Sequence, residues 1–133
     1  MRKFNIEIVT PEGCAYSGEC ESVTLRTDLG DVQIMAGHAD YLAALDTGSL
    51  TLQLEGGTRY ASSSGGFVSV SGGKVRVVVT TLEFADDIDE GRAERAKAVA
   101  EARLRDAKTD AEIAGATAKL KRAISRIKVA KLR

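Results

Sequence analysis

The chain has no tryptophan, one histidine and two cysteines among its 133 residues. Cys14 and Cys20 share one strand-like stretch, and with only His38 to help them a structural zinc site lacks ligands. Both read as reduced strand residues in a cytosolic setting. His38 has no serine or cysteine nucleophile motif beside it, so a hydrolytic site has no second member. No P-loop or dinucleotide fingerprint is present. No apolar run approaches the ~18 residues of a membrane span. Nothing at the N-terminus reads as a signal peptide, because an alternating strand pattern starts at once. An enzyme with its own acid–base pair or metal is disfavoured by these absences.

What is present divides into two materials. Residues 1–86 hold eleven of the thirteen glycines, with six Lys/Arg against eleven Asp/Glu, a net of −5. Residues 87–133 hold twelve alanines, with thirteen Lys/Arg against eight Asp/Glu, a net of +5. The zero formal charge of the whole therefore conceals an acidic front and a basic tail. The tail lacks the interleaved aromatics of a single-strand nucleic-acid binder and the Trp or Phe of a membrane-surface helix.

In the front part, Phe4, Ile6 and Ile8 alternate with polar residues, as do Leu50, Leu52 and Leu54. Val75, Val77 and Val79 flank Val78, which suggests a strand buried on both faces. Pro11-Glu12-Gly13, Asp28-Leu29-Gly30, Asp46-Thr47-Gly48, Gly56-Gly57 and Gly72-Gly73 mark the turns. Ser62-Ser63-Ser64-Gly65-Gly66 reads as strand, bulge, strand. Short strands without intervening helices predict an antiparallel β-sandwich or barrel.

After Thr81 the period changes. Asp87 followed by Glu90 reads as a helix start, with Ala93, Ala96, Ala100, Leu104 and Ala107 on one face. Gly91 in the first turn costs ~1 kcal/mol against alanine. Thr109 and Glu112 form a capping box for a second helix, whose apolar face is Ile113, Thr117, Leu120, Ile124 and Ile127. A second stripe, Ala111, Ala114, Gly115 and Ala118, would let another helix approach closely. A hairpin about Lys108 puts Arg92 ~16 residues before the bend and Arg122 to Arg126 ~14 to 18 after it, so at ~1.5 Å per residue the three guanidinium groups lie side by side. Guanidinium groups fork onto phosphate oxygens. Ile88 and Ala93 can cover a purine face, and the carboxylates of Glu83 and Asp89 can accept from its exocyclic amine. A nucleotide held without a Mg²⁺-organising motif would be bound and not hydrolysed.

Five segments in order resemble the epsilon subunit of bacterial F-type ATP synthase. They are Ile8-Val9-Thr10-Pro11-Glu12, Tyr16-Ser17-Gly18-Glu19, Gly37-His38-Ala39 with Leu42-Ala43-Ala44-Leu45, Ser64-Gly65-Gly66-Phe67-Val68, and Ile88-Asp89-Glu90-Gly91-Arg92-Ala93. The resemblance implies an α+β chain: a β-sandwich of about ten strands over 1–86, then a regulatory antiparallel two-helix hairpin over 87–133. It implies a rotor subunit on the gamma subunit and the c-ring, peripheral at the cytoplasmic face of the bacterial membrane, with Gly37, His38 and Ala39 at the rotor contact. It further implies that the hairpin inhibits ATP hydrolysis when extended toward the alpha and beta subunits. ATP, a regulatory ligand without a metal, would hold the folded form through Glu83, Ile88, Asp89, Arg92, Ala93, Arg122 and Arg126. The prolines usual before and after the Gly-His-Ala turn are replaced here by Met35-Ala36 and Asp40, which predicts a less rigid turn. A free-standing nucleotide sensor would be served by the same arginines.

Overall fold

The computed structural model describes residues 2–133. Eight strands come first: β1 (Phe4–Thr10), β2 (Gly13–Cys20), β3 (Ser22–Thr27), β4 (Gly30–Met35), β5 (Tyr41–Leu45), β6 (Gly48–Leu54), β7 (Gly57–Ser71) and β8 (Lys74–Phe84). A 3₁₀ turn (Ala85–Asp87) leads into α1 (Glu90–Asp106) and α2 (Asp110–Ala130).

The strands form one sheet folded over on itself. One layer runs β2-β1-β8-β7-β5, and the other runs β4-β3-β6 and rejoins β7. The two long strands belong to both layers. Residues 66–70 of β7 pair with β5 while residues 57–63 pair with β6. Residues 75–78 of β8 pair with β1 while residues 81–84 pair only with β7. Counting each long strand once per layer turns eight continuous strands into the ten that were expected. Gly66 makes the crossing possible: a Cβ there would lie 1.9 Å from the carbonyl oxygen of Val78. One pairing departs from the antiparallel expectation, since β1 and β8 run parallel.

Alternation fills the space between the layers. Phe4, Ile6, Ile8, Val23, Leu25, Ile34, Leu50, Leu52, Val68, Val75, Val77 and Val79 are buried in one cluster drawn wholly from residues 4–79. Each such side chain is worth ~1.5–3 kcal/mol on burial. β8 is buried on one face only, against expectation: Val78 is half-buried, and Arg76 is exposed and pairs with Glu7 of β1 at 2.9 Å. Two hairpins share a device. Thr10 and Thr27 each accept from the amide two residues on and donate to the carbonyl of a glycine three residues on.

The helices pack as an antiparallel pair along an alanine seam, with Ala93 and Ala100 of α1 buried alongside Ala116 and Ala123 of α2. The hairpin is folded back onto the sandwich through the second half of α2. Ser125 and Ser62 of β7 share a buried hydrogen bond of 2.7 Å, and Lys121 donates to both carboxylate oxygens of Asp46 at 2.8 and 3.0 Å. At the root, Val129 and Ala130 bury themselves with Ala85, Ile88 and half-buried Tyr60. Arg133 donates to the carbonyls of Ala85 and Ile88 at 3.3 and 2.9 Å. The Ala111/Ala114/Gly115/Ala118 stripe is exposed, and so is Ile113, because this half of α2 projects beyond the strands. Ala96 is exposed as well, with half-buried Lys97 in its expected place on the α1 face.

Candidate functional site

The site begins at the start of α1. The N-cap is Asp89, not Asp87, which lies in the 3₁₀ turn. The Asp89 side chain accepts from the Arg92 amide at 3.0 Å, as a capping aspartate does for an otherwise unpaired helical N–H. The cap moves because burial of Ala85 and Ile88 against α2 holds residues 85–88 outside the helix. Gly91 follows, and its missing side chain has a local use. A Cβ there would stand 3.4 Å from a guanidinium nitrogen of Arg95, which lies back over the first turn.

Two adjoining cavities open between α1, α2 and β8. The smaller, ≈ 260 Å³, is lined by Glu83, Asp87, Asp89, Arg92, Ala93, Ala96 and Arg126. The larger, ≈ 460 Å³, is lined by Arg92, Arg95, Ala96, Val99, Ala100, Lys119, Arg122 and Arg126. They share Arg92, Ala96 and Arg126, yet their electrostatics are opposed. Three carboxylates border the first, whereas five cations and no carboxylate border the second. Arg126 stands at the junction, 3.3 Å from Glu83.

Of the residues expected to act together, Arg92, Arg122 and Arg126 do line one cavity, and Glu83, Asp89 and Ala93 line the other with Arg92 and Arg126. Ile88 lines neither. The residue is 3% exposed within the root cluster, so in this folded form it packs beneath the site. Asp87, Arg95, Ala96 and Lys119 line the cavities without having been anticipated. Arg95 follows Arg92 by three residues and Lys119 precedes Arg122 by three, so the neighbour rule for helix faces was available in the sequence.

The profile of the family described as "ATP synthase, Delta/Epsilon chain, beta-sandwich domain" matches residues 3–85, and that of the "long alpha-helix domain" matches residues 86–131. The chain belongs to the ATP synthase epsilon-chain family. ATP synthase epsilon chains of Staphylococcus aureus strains JH9 and Newman are each 40% identical to it over 134 residues, covering 100% of both sequences. A chain in the cryo-EM structure of the Euglena gracilis mitochondrial ATP synthase, comprising OSCP, F1 and c-ring, superposes with a TM-score of 0.84 at 22% identity. The match covers 98% of this chain and 82% of that one. A chain from the central stalk and c-ring of the Tetrahymena thermophila mitochondrial enzyme gives 0.67 at 19% identity, covering 97% of each. At those identities the likeness is one of fold.

In this epsilon-family chain the Gly37-His38-Ala39 turn joins β4 to β5. Gly37 takes a φ of 82°, a conformation that favours glycine, and the His38 amide donates to Met35 O at 3.2 Å. The His38 ring sits edge-on to Tyr41, with centroids 5.5 Å apart, and its Nδ1 lies 2.7 Å from the Ala39 carbonyl oxygen. The amide contact ties the turn to the end of β4 and the ring contact ties it to β5. The turn is far along the chain from both cavities, and no helix of the described residues is long and apolar enough to cross a membrane.

Proposed function

We propose that this chain is a non-catalytic rotor subunit of a proton-translocating F-type ATP synthase, and that its helical hairpin is a brake on ATP hydrolysis which ATP holds in the folded position. The rotor role is supported by family membership and by a fold shared with a chain of a described central stalk and c-ring. On this reading residues 1–86 seat on the gamma subunit and the c-ring, with Gly37, His38 and Ala39 at the rotor contact. Residues 87–133 extend toward the alpha and beta subunits when they inhibit. The chain is then peripheral to the cytoplasmic face of the bacterial membrane through its complex.

One observation carries the regulatory part. The acidic and basic cavities adjoin, and the basic one is built from both arms of the hairpin. Adenine offers an exocyclic amine to carboxylates, and a triphosphate offers oxygens to forked guanidinium groups. A ligand with both ends fits the two cavities in tandem. Glu83 and Asp89 would take the amine, Ala93 the ring face, and Arg92, Arg122 and Arg126 the phosphates. Such a ligand contacts α1 and α2 together only when they are folded. It therefore stabilises that form by RT ln(1 + [L]/Kd), ~2.7 kcal/mol at a hundred-fold excess over Kd.

The test is calorimetric titration of the full chain with ATP, beside hydrolysis by the assembled complex. Arg92→Ala and Arg126→Ala should each weaken ATP by roughly ten-fold, the lower end of ~1.5–3 kcal/mol for a charged hydrogen bond. ATP should relieve inhibition of hydrolysis, and removal of residues 87–133 should abolish inhibition. Equal ATP affinity in all three proteins would refute the site. Co-purification with gamma separates this reading from a free-standing nucleotide sensor.

A further inference from the structure

The chain has nineteen basic and nineteen acidic residues, enough for every cation to find a counter-charge. Among the described residues six do so: Lys3, Arg26, Arg76, Lys121, Arg126 and Arg133. Arg92, Arg95, Lys119 and Arg122 form no ion pair among the described residues, although all four line the same ≈ 460 Å³ cavity. Scattered unpaired cations on a helical surface need no explanation. Four gathered at one cavity, two from each helix, repel one another with no carboxylate between them.

Position distinguishes members of this group. Arg92 and Arg126 border both cavities and so mark the junction between a ligand's two ends. Arg95 and Lys119 border the basic cavity and not the acidic one. Lys119 also lines the next groove along the hairpin, with Val99, Ala102, Asp106 and Glu112, which puts it at the end of the basic cavity nearer the hairpin bend. Arg95 lies back over Gly91, nearer the junction. Ordered from the carboxylates outward, the cations run from Arg126 and Arg92, past Arg95, to Lys119.

We infer that Arg95 and Lys119 are further phosphate-binding residues of this site, and that Lys119 sets its preference for a triphosphate over a diphosphate. The inference rests on the nucleotide reading given above. A base seated among the carboxylates leaves its phosphates to run outward through the basic cavity, and each additional phosphate brings further negative charge toward Lys119. A diphosphate ends before it. Lysine suits this end because it meets a mobile terminal group as a point charge, whereas arginine's fixed fork suits a bridging phosphate held in place.

Arg95→Gln and Lys119→Gln decide the matter, because both side chains are exposed and their replacement leaves the alanine seam intact. The full chain and both variants are titrated calorimetrically with ATP, ADP and inorganic tripolyphosphate, with Arg92→Ala as the control for the site itself. Lys119→Gln should weaken ATP and tripolyphosphate by about two- to five-fold and leave ADP nearly unchanged, the scale of a solvent-open charge contact. Arg95→Gln should weaken ATP and ADP alike by a similar factor. Unchanged affinities in both glutamine variants, with ATP lost in Arg92→Ala, overturn the assignment and leave the nucleotide site standing. An equal loss of ATP and ADP in Lys119→Gln overturns the phosphate-counting role. Failure of the unmodified chain to bind ATP overturns the nucleotide reading, and this inference with it.

Discussion

The seat of α2 on the sandwich is held in part by two hydroxyls that have only each other. Ser62 and Ser125 are 6% and 7% exposed and their oxygens are 2.7 Å apart, while among the described residues no buried side-chain nitrogen or oxygen lacks a partner. Replacing Ser125 by alanine strands the Ser62 hydroxyl beneath the helix. An unsatisfied buried hydroxyl costs ~1–3 kcal/mol, while removing both partners is close to neutral. At ~1.4 kcal/mol per factor of ten, the docking equilibrium should shift by about five- to 150-fold in Ser125→Ala and far less in the Ser62→Ala/Ser125→Ala double variant. Native-state hydrogen exchange of the amides of residues 120–130 reads this, since an α2 that leaves the strands loses the packing that keeps its own helical hydrogen bonds from fraying. The expected pattern is faster exchange in the single variant and substantial recovery in the double. Unaltered exchange in Ser125→Ala, or a double variant as costly as the sum of its singles, would refute the reasoning.

Four other outcomes follow from particular contacts. Gly66→Ala should destabilise the sandwich by more than about 3 kcal/mol in denaturant unfolding, because its Cβ would lie 1.9 Å from a backbone oxygen. Lys121 hydrogen-bonding, helped by the Thr47 amide, holds the Asp46 carboxyl below its ordinary value. That contribution is complete above ~pH 4 and is lost as pH falls through the lowered folded-state value, so acid should loosen α2 by at most ~1 kcal/mol, and Asp46→Asn should remove that pH dependence from the exchange rates. Burial pushes the Cys20 thiol up to about 11 while Cys14 is exposed, so alkylation at pH 8 followed by mass spectrometry should mark Cys14 alone until the sandwich unfolds. A chain shortened to residues 1–86 should stay soluble with a β-sheet circular dichroism spectrum, because the large buried cluster lies wholly within residues 4–79.

Much of this architecture was legible because local chemistry settles it. Thr109 caps α2 by accepting from the Glu112 amide at 3.1 Å, and the Gly72-Gly73 pair makes a two-residue turn with both φ values positive, 57° and 80°. The second glycine pair shows the limit of local reading. Ladder pairing joins Leu54 to Gly57, so the turn residues are Glu55 and Gly56, one place earlier than the glycines suggest. Other features were decided by what lies across the fold. Nothing near Asp87 says that Ala85 and Ile88 are sealed by Val129 and Ala130, and that seal is what moves the cap to Asp89. Helical period offered α2 two apolar stripes, but exposure depends on where the strands end, and Ile113 is left 42% exposed beyond them. The serine run was readable as strand, and its burial was not, since its partners are Ser125 and Thr81. The arginine triad was legible from helix rise alone. Arg95 and Lys119 lie three residues from Arg92 and Arg122, but the carboxylate-free character of their cavity emerges only when both helices are in place.

The clasp at the root of the hairpin bears on how the proposed brake would open. Val129, Ala130 and Arg133 grip residues 85–88, the stretch from which α1 departs and about which the hairpin would turn if it acts as the proposed brake. Displacing the bend near Lys108 alone would leave these contacts in place. Opening would require Arg133 to release two carbonyls and Val129 and Ala130 to lift from Ile88. Ser125 and Lys121 would have to leave Ser62 and Asp46 as well. On that reading the opening rate would depend on residues 129–133, remote from the two cavities, as well as on the seat beneath α2. On the proposed brake, removing residues 129–133 would speed opening and shift the balance away from the folded form by a similar factor, because contacts broken before the barrier count in both.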